Sequence, residues 1–301
     1  MRVLVTGSGG QLGGELRRLL STMGAEAGPV PEAYRGAEVD WAGRADLDIS
    51  DGAAVRAWFA GHPPYGLVVN CAAATNVDGC EADEGGAYRA NALGPQNLAR
   101  ACASGGAELV QVSTDYVFAG DEPGARSEGD PVGPRSAYGR TKLAGERLAL
   151  EANPRTYVCR TAWLYGYTGR NFVKTMRQLG AQRDRVEVVC DQLGNPTSAN
   201  DLAYAILLAA LTGEYGVWHM SGRGTCSWAD LAARTMERSG LACEVVPVTT
   251  AEYLASHPQA ALRPAFSSLR NARLEATVGD PFRPWEEALD MYVDRLNEME
   301  A

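Results

Sequence analysis

Arg2-Val3-Leu4-Val5-Thr6-Gly7-Ser8-Gly9-Gly10-Gln11-Leu12-Gly13 opens the chain and decides how its fold is read. Arg2 to Thr6 is a short β-branched apolar run, the pattern of a buried strand. Residues 11–23 then place Leu12, Leu16, Leu19 and Leu20 at the spacing of an amphipathic helix. Between the two lie glycines at 7, 10 and 13. Such a turn lets backbone N–H groups at a helix N-terminus face a pyrophosphate, which a β-carbon would keep away. The spacing is G-x-x-G-x-x-G, one residue longer than G-x-G-x-x-G, and its strand-turn-helix setting points to nucleotide binding.

Outward from that stretch the pattern repeats. Short apolar runs at 67–70, 108–112 and 156–160 alternate with helical segments near 51–60, 85–104 and 137–152. This alternation predicts an α/β fold, a Rossmann-type doubly wound parallel sheet. After about residue 165 the rhythm loosens, with helices expected at 170–180, 199–211 and 227–239 and short strands near 186–189 and 215–219. Proline-containing loops fall at 195–197, 258–264 and 281–284. The expected organisation is an NAD(P)-binding domain over 1–165, which some later segments rejoin, and a smaller C-terminal substrate-binding lobe over most of 166–301. The stretch 25–44 fits least well, because Pro29 and Pro31 leave the second strand poorly defined.

Composition narrows the function classes. The 301 residues are 46% hydrophobic and 22% charged, a globular profile that excludes disorder, collagen and coiled coil. Net charge is −9, from 28 basic and 37 acidic residues, which argues against nucleic acid and anionic membrane as partners. An anionic substrate must then be met by a local group of Arg or Lys. The seven cysteines form no C-x-x-C and the three histidines are widely spaced, so neither a disulfide framework nor a metal site is indicated. The most apolar later stretch, 202–211, is far shorter than the ~20 residues that span a bilayer. A soluble, reducing, cytoplasmic setting is expected.

The second strand should end in a residue that reads the adenosine ribose. Asp40 could accept a hydroxyl hydrogen bond, whereas Arg44 could pair with a 2′-phosphate, and the two point to different cofactors. Asp48 offers a carboxylate to an adenine amino group, with Ile49 as an apolar wall. Ser113-Thr114-Asp115-Tyr116 follows the strand ending near Val112, at the carboxyl edge where open α/β sheets bind ligands. Tyr138 and Lys142 stand four residues apart on one helix face. Moving a phenol from pKa ~10 to ~7 takes roughly 4 kcal/mol. A cation about 5 Å away at an effective dielectric of ~20 supplies on the order of 3 kcal/mol. The pair therefore suits proton transfer by Tyr138 near neutral pH.

Taken in order, these features resemble the extended short-chain dehydrogenase/reductase superfamily and, within it, the dTDP-4-dehydrorhamnose reductase family. The narrower match rests on Ser113-Thr114-Asp115-Tyr116-Val117-Phe118, on Tyr138 through Glu146, and on Arg160-Thr161-Ala162-Trp163-Leu164-Tyr165. It continues through Asn171-Phe172, Asp191 through Thr197, and Arg263-Pro264 followed by Ser267. The resemblance implies NAD(P)H-dependent reduction of the C4 ketone of a dTDP-4-keto-6-deoxy-L-hexose. It assigns proton donation to Tyr138, the nicotinamide ribose and a lowered Tyr138 pKa to Lys142, and a carbonyl hydrogen bond to Thr114. Asp115 and Trp163 match positions that contact the sugar, and Arg263 is the cation expected at the substrate diphosphate. Gly10, Gln11 and Leu12, then Ala73, Ala74 and Thr75, match cofactor contacts. Arg44 favours NADPH as the cofactor, with NADH as the alternative, and a homodimer is compatible with the family. The product would be dTDP-L-rhamnose or a related deoxysugar for polysaccharide or antibiotic biosynthesis. Two other readings share the motifs: a nucleotide-sugar epimerase or dehydratase, and a non-catalytic NADP-binding regulatory subunit. Asp115-Tyr116 departs from the Asp-Glu of the dehydratases.

Overall fold

The computed structural model describes residues 1–300. Its centre is a six-stranded sheet built from β1 (Arg2–Thr6), β2 (Glu38–Ala42), β3 (Leu67–Asn70), β4 (Glu108–Thr114), β5 (Thr156–Thr161) and a sixth strand, Gly216–His219. The order is β2-β1-β3-β4-β5 and then the sixth strand, every pair parallel. This is the expected doubly wound sheet, with the switch point between β1 and β3, where such sheets bind ligands. Despite its prolines the second strand is regular, with Leu4 opposite Asp40. The stretch before it makes a single turn at Glu32–Tyr34 and buries Tyr34, whose hydroxyl donates to Leu207 O at 2.9 Å.

Each face of the sheet is covered by helices. On one side α1 (Gln11–Thr22) brings Leu12, Leu16 and Leu19 against Leu202, Ile206 and Leu207 of the Ala199–Ala209 helix. On the other, Val55, Leu98, Ala99, Cys102 and Ala149 pack beneath Leu4, Val68 and Leu109. The C-terminal half thus supplies both a sheet strand and a covering helix. Its remainder holds the parallel strand pair Arg185–Val189 and Glu244–Val248 with the helices Phe172–Gly180, Trp228–Arg238 and Trp285–Glu300.

The helix expected near 85–104 is broken into Glu84–Tyr88, a π-helical turn Arg89–Leu93, and Gly94–Gly105. The neighbouring Ala137–Ala152 helix presses on that turn: a β-carbon on Gly145 would lie 2.0 Å from Asn91 O. Inside the widened turn, Asn91 accepts from Ala74 N at 2.8 Å and donates to Ala74 O at 3.0 Å. Wide turns of this kind concentrate at functional sites.

A buried ion network joins the two halves of the chain. Arg283 Nη2 donates to Asp201 Oδ1 at 2.7 Å and to Glu26 Oε2 at 2.8 Å, while Arg295 and Tyr167 reach the other Glu26 oxygen at 3.0 Å. Removing one partner from such a network leaves charges buried and unpaired. Arg283→Met is expected to lower stability by about 3–5 kcal/mol, read from the urea midpoint. An unchanged midpoint would show that the network does not hold the halves together.

Candidate functional site

The β1–α1 turn forms one end of the cleft. Gly7 lies in the left-handed region at φ 65°, and a β-carbon on it would stand 2.6 Å from Ala72 N. One on Gly13 would stand 2.6 Å from Ser8 Cα. These two glycines let the turn fold on itself and against the end of β3. Gly9 and Gly10 line the cleft, and a β-carbon on Gly9 would meet no atom within 4 Å. Gly10 caps α1 without a side-chain hydrogen bond, and the helix has no acidic residue in its first turn. The first amides of the helix therefore remain available to an anion. Gln11 and Leu12 line the same wall.

Along the neighbouring strand ends, Arg44, Asp48 and Ile49 line the cleft, as do Ala73, Ala74 and Thr75. Asp48 Oδ1 accepts from Ser50 N at 3.0 Å and Ser50 Oγ at 2.6 Å. Those bonds hold the carboxylate below its ordinary pKa and leave Oδ2 to face outward, 3.9 Å from Arg44 Nε. Asp40 does not join them. It sits in the middle of β2, where its carboxylate accepts from Arg2 at 2.8 and 3.0 Å and from the Tyr65 hydroxyl at 2.7 Å. A residue opposite Leu4 is two positions short of the strand's carboxyl end, and Arg2 and Tyr65 already occupy it. The ribose reading of Asp40 is corrected accordingly, leaving Arg44 at that end of the cleft.

The other end holds Thr114, Asp115, Tyr138, Lys142, Trp163 and Arg263 around one space. Ser136 caps the Ala137–Ala152 helix, fixing its first turn and Tyr138 with it. The Tyr138 ring meets Tyr116 edge to face at 5.4 Å. Burial raises the phenol above its ordinary pKa, and the Thr114 hydroxyl lowers it less. This differs from the expectation that Lys142 brings Tyr138 down toward neutrality. Lys142 Nζ donates instead to Val112 O at 2.6 Å. Burial lowers its own pKa to about 8, against the pull of Glu146 one helical turn away. Glu146 is held by Arg160 at 2.7 and 2.9 Å and by the Ser113 hydroxyl at 2.5 Å.

Asp115 is buried beside this group. Its Oδ1 accepts from Thr114 Oγ1 at 2.8 Å, while Oδ2 has no partner among the described residues. Burial raises its pKa to about 6, with Thr114 and Ser267 opposing. Trp163 adopts φ 45°, in the left-handed region, and stacks on Trp228 at 3.5 Å. A non-glycine residue in that conformation costs backbone energy that the packing around it must repay. Phe172 leans on Trp228 at 4.6 Å, so an aromatic wall closes this side of the cleft.

Several lining residues carry no sequence motif: Arg89, Arg170 and Trp228. Arg170 follows Gly169, which stands at φ 74°, and Lys174 donates to the carbonyls of Tyr167 and Gly169. With Arg44 and Arg263, four arginines line a cleft of about 1270 Å³ in a chain of net charge −9. The local gathering of cations expected for an anionic ligand is present, though only two of the four were indicated by sequence. The uncapped turn, the open space at Gly9 and this charge fit a dinucleotide at one end, with room for a second nucleotide beyond it. Among the described residues no helix is long and apolar enough to cross a membrane.

Comparisons with known proteins agree with this arrangement. A family model described as RmlD substrate binding domain matches residues 1–298. The chain is 45% identical over 294 residues to a dTDP-4-dehydrorhamnose reductase of Streptomyces griseus, covering 96% of this chain and 91% of that one. The solved structure of a dTDP-4-dehydrorhamnose reductase from Clostridium acetobutylicum superposes with a TM-score of 0.91 at 45% identity, covering 99% of this chain and all of that one. One from Bacillus anthracis, in complex with NADP, gives 0.89 at 35% identity over 98% and 99% of the two chains.

The state of Lys142 sets a pH dependence. Its pKa is lowered, so the ammonium is present at pH 7 and is lost as pH rises through about 8. Dinucleotide affinity, measured by fluorescence titration, is expected to fall up to about tenfold per pH unit above that point. In Lys142→Met it should be weak and nearly flat from pH 7 to 9. A wild-type curve as flat as the variant's would remove Lys142 from the cofactor site.

Proposed function

The chain belongs to the RmlD substrate binding domain family, and from that premise we infer that it is an NAD(P)H-dependent reductase of a nucleotide-sugar ketone. It reduces the C4 ketone of a dTDP-4-keto-6-deoxy-L-hexose, making dTDP-L-rhamnose or a related deoxysugar for polysaccharide or antibiotic biosynthesis. The observation that carries this reading is one continuous cleft with an uncapped glycine turn at one end and Thr114, Tyr138 and Lys142 at the other.

NADPH, held by the Gly7–Gly13 turn, Asp48, Ile49 and Ala73 to Thr75, supplies the hydride for the carbonyl carbon when bound. Arg44 would meet its 2′-phosphate. The Thr114 hydroxyl, which rests on Asp115 Oδ1 before ligands arrive, turns its one proton to the C4 oxygen and fixes that oxygen beside the phenol. As the carbonyl becomes an alkoxide, Tyr138 gives it a proton and the alcohol forms. Burial keeps the Tyr138 proton in place at neutral pH, which is the state a donor requires. Lys142, whose Nζ rests on Val112 O before ligands arrive, would hold the nicotinamide ribose and from there stabilise the phenolate left behind. Asp115 and the Trp163–Trp228 wall orient the sugar, and Arg263 balances its diphosphate. Residues 1–165, with the Ala199–Ala209 helix and the Gly216–His219 strand, serve the cofactor, and most of the remainder serves the substrate. The seven cysteines, none bridged, suit a reducing cytoplasm.

Loss of NADPH absorbance with the dTDP-4-keto-6-deoxy-L-hexose tests the activity. Turnover should depend on Tyr138, and Tyr138→Phe should lower kcat by roughly 10²- to 10⁴-fold. Absence of turnover in the wild type would refute the reductase, and full turnover in the variant would refute the proton donor. Tightly bound NAD+ with product formed and no net cofactor consumption would instead favour the epimerase or dehydratase reading.

Cofactor choice is read separately. Arg44→Ala should raise the NADPH KM by about tenfold or more, the scale of one charge-assisted contact, and leave the NADH KM unaltered. If neither KM moves, Arg44 does not read the 2′-phosphate.

A further inference from the structure

Residues 257–264 carry no helix or strand and bring Arg263 to the cleft. Both ends of this strap are fixed. The helix before it, Thr250–Ser256, is tied down by Asp191, which accepts from Thr250 N at 2.8 Å and Thr250 Oγ1 at 2.6 Å. After it, Pro264 lies against Gly120, and Phe266 N donates to Gly120 O at 3.0 Å. Between these anchors, the hydrogen bonds that leave the strap and its own helix all go, among the described residues, to Asp78, 183 positions earlier in the chain.

The two contacts to Asp78 differ in kind. Ala261 N donates to Asp78 Oδ1 at 2.7 Å, a short bond from backbone. Arg263 Nη2 stands 3.3 and 3.4 Å from the two carboxylate oxygens. That is longer than the ~2.7–2.9 Å of a well-formed guanidinium–carboxylate bond. Both side chains are partly exposed, and their charges reach the Tyr116 hydroxyl with opposite sign. Tyr116 in turn packs on Tyr138. The strap is therefore held firmly by its backbone and loosely by its cation, which lines the same cleft as Tyr138.

We propose that Asp78 is the tether of this strap and the resting counter-ion of Arg263, which the diphosphate of an incoming nucleotide sugar takes from it. The Ala261 amide stays on Asp78 while the guanidinium changes partner, so the strap keeps its place as the substrate seats. Asp78 acts through Arg263 and is a positioning residue. The inference rests on reading Arg263 as the cation for the substrate diphosphate.

The test compares Asp78→Asn, Asp78→Ala, Arg263→Ala and the double variant Asp78→Asn/Arg263→Ala, each full length and assayed with saturating NADPH. Asn keeps an oxygen for the Ala261 amide but removes the competing charge. Substrate KM should therefore fall about two- to fivefold, the scale of one exposed ion pair, with kcat and the NADPH KM within twofold of wild type. Arg263→Ala should raise the substrate KM about tenfold or more, and in its background Asp78→Asn should give no further gain. Calorimetry with dTDP and with dTMP should show the same Asp78→Asn gain for the diphosphate and a smaller one for the monophosphate. Amide exchange at Ala261 should be slow in wild type and Asp78→Asn and fast in Asp78→Ala. If Asp78→Asn leaves KM unchanged or raises it while Arg263→Ala raises it, the counter-ion role is overturned and the reading of Arg263 stands. An unchanged KM in Arg263→Ala overturns that reading and the proposal with it. Ala261 exchange in Asp78→Ala as slow as in wild type would overturn the tether.

Discussion

Backbone meets backbone where Gly7 touches the Cys71–Ala72 peptide, and the spacing of the whole cleft follows from that contact. It sets the carboxyl ends of β1 and β3 close together at the switch point of the sheet, so the turn and the Ala73–Thr75 wall face the same space. A similar constraint acts on the helix that bears Tyr138 and Lys142. A β-carbon on Gly139 would lie 2.2 Å from Tyr116 O, and one on Gly145 would lie 2.0 Å from Asn91 O. Two glycines within one helix cost roughly 1 kcal/mol each against alanine. What they allow is a helix seated on the residues that shape the site: Tyr116 on one side, and on the other the turn whose Asn91 grips Ala74.

Charge is distributed on the same plan. The surface is acidic on balance, yet Arg44, Arg89, Arg170 and Arg263 all line the cleft. An anion approaching a field of net −9 is repelled, but beyond about 8 Å that repulsion is largely screened in physiological salt. At the mouth the nearby guanidinium groups dominate. Beneath the site the buried Glu146–Arg160 pair places a carboxylate one helical turn from Lys142, opposing the desolvation that lowers the lysine. Without that carboxylate, burial would lower it further.

The sheet was legible in the sequence because strands buried on both faces read as short apolar runs, and each was followed by a helical spacing. The helix that bears Tyr138 and Lys142 and the glycine turn were legible because each gathers its functional residue types within a few consecutive positions. Arg89, Arg170 and Trp228 were not, since they reach the cleft only through tertiary folding and no local pattern separates them from surface or core residues. Asp40 was misplaced for a related reason. Where a strand ends cannot be read from residue type when the stretch before it holds two prolines, and a shift of two positions takes a carboxylate out of the site. The π turn at Arg89–Leu93 was hidden because its cause, the approach of Gly145, lies more than fifty residues away. The Trp285–Glu300 helix was not anticipated, although Leu289, Tyr292, Val293 and Leu296 follow a helical spacing and all are buried.

The state of Tyr138 bears on the direction of the chemistry. A phenol lowered toward pH 7 would accept and donate a proton almost equally well, which suits an enzyme that must oxidise and then reduce the same carbon. Here burial holds the phenol above its ordinary pKa, and the cation that could lower it is turned toward Val112 O. Before ligands arrive, the phenol is therefore protonated at neutral pH. An epimerase or dehydratase first removes a hydride from an alcohol, and its tyrosine must take a proton in that step. The second acidic residue used by the dehydratases is also missing beside Asp115, where Tyr116 stands and packs its ring on Tyr138. A protonated phenol, a threonine next to it and no second acid beside Asp115 fit the reductase reading better than the dehydratase one.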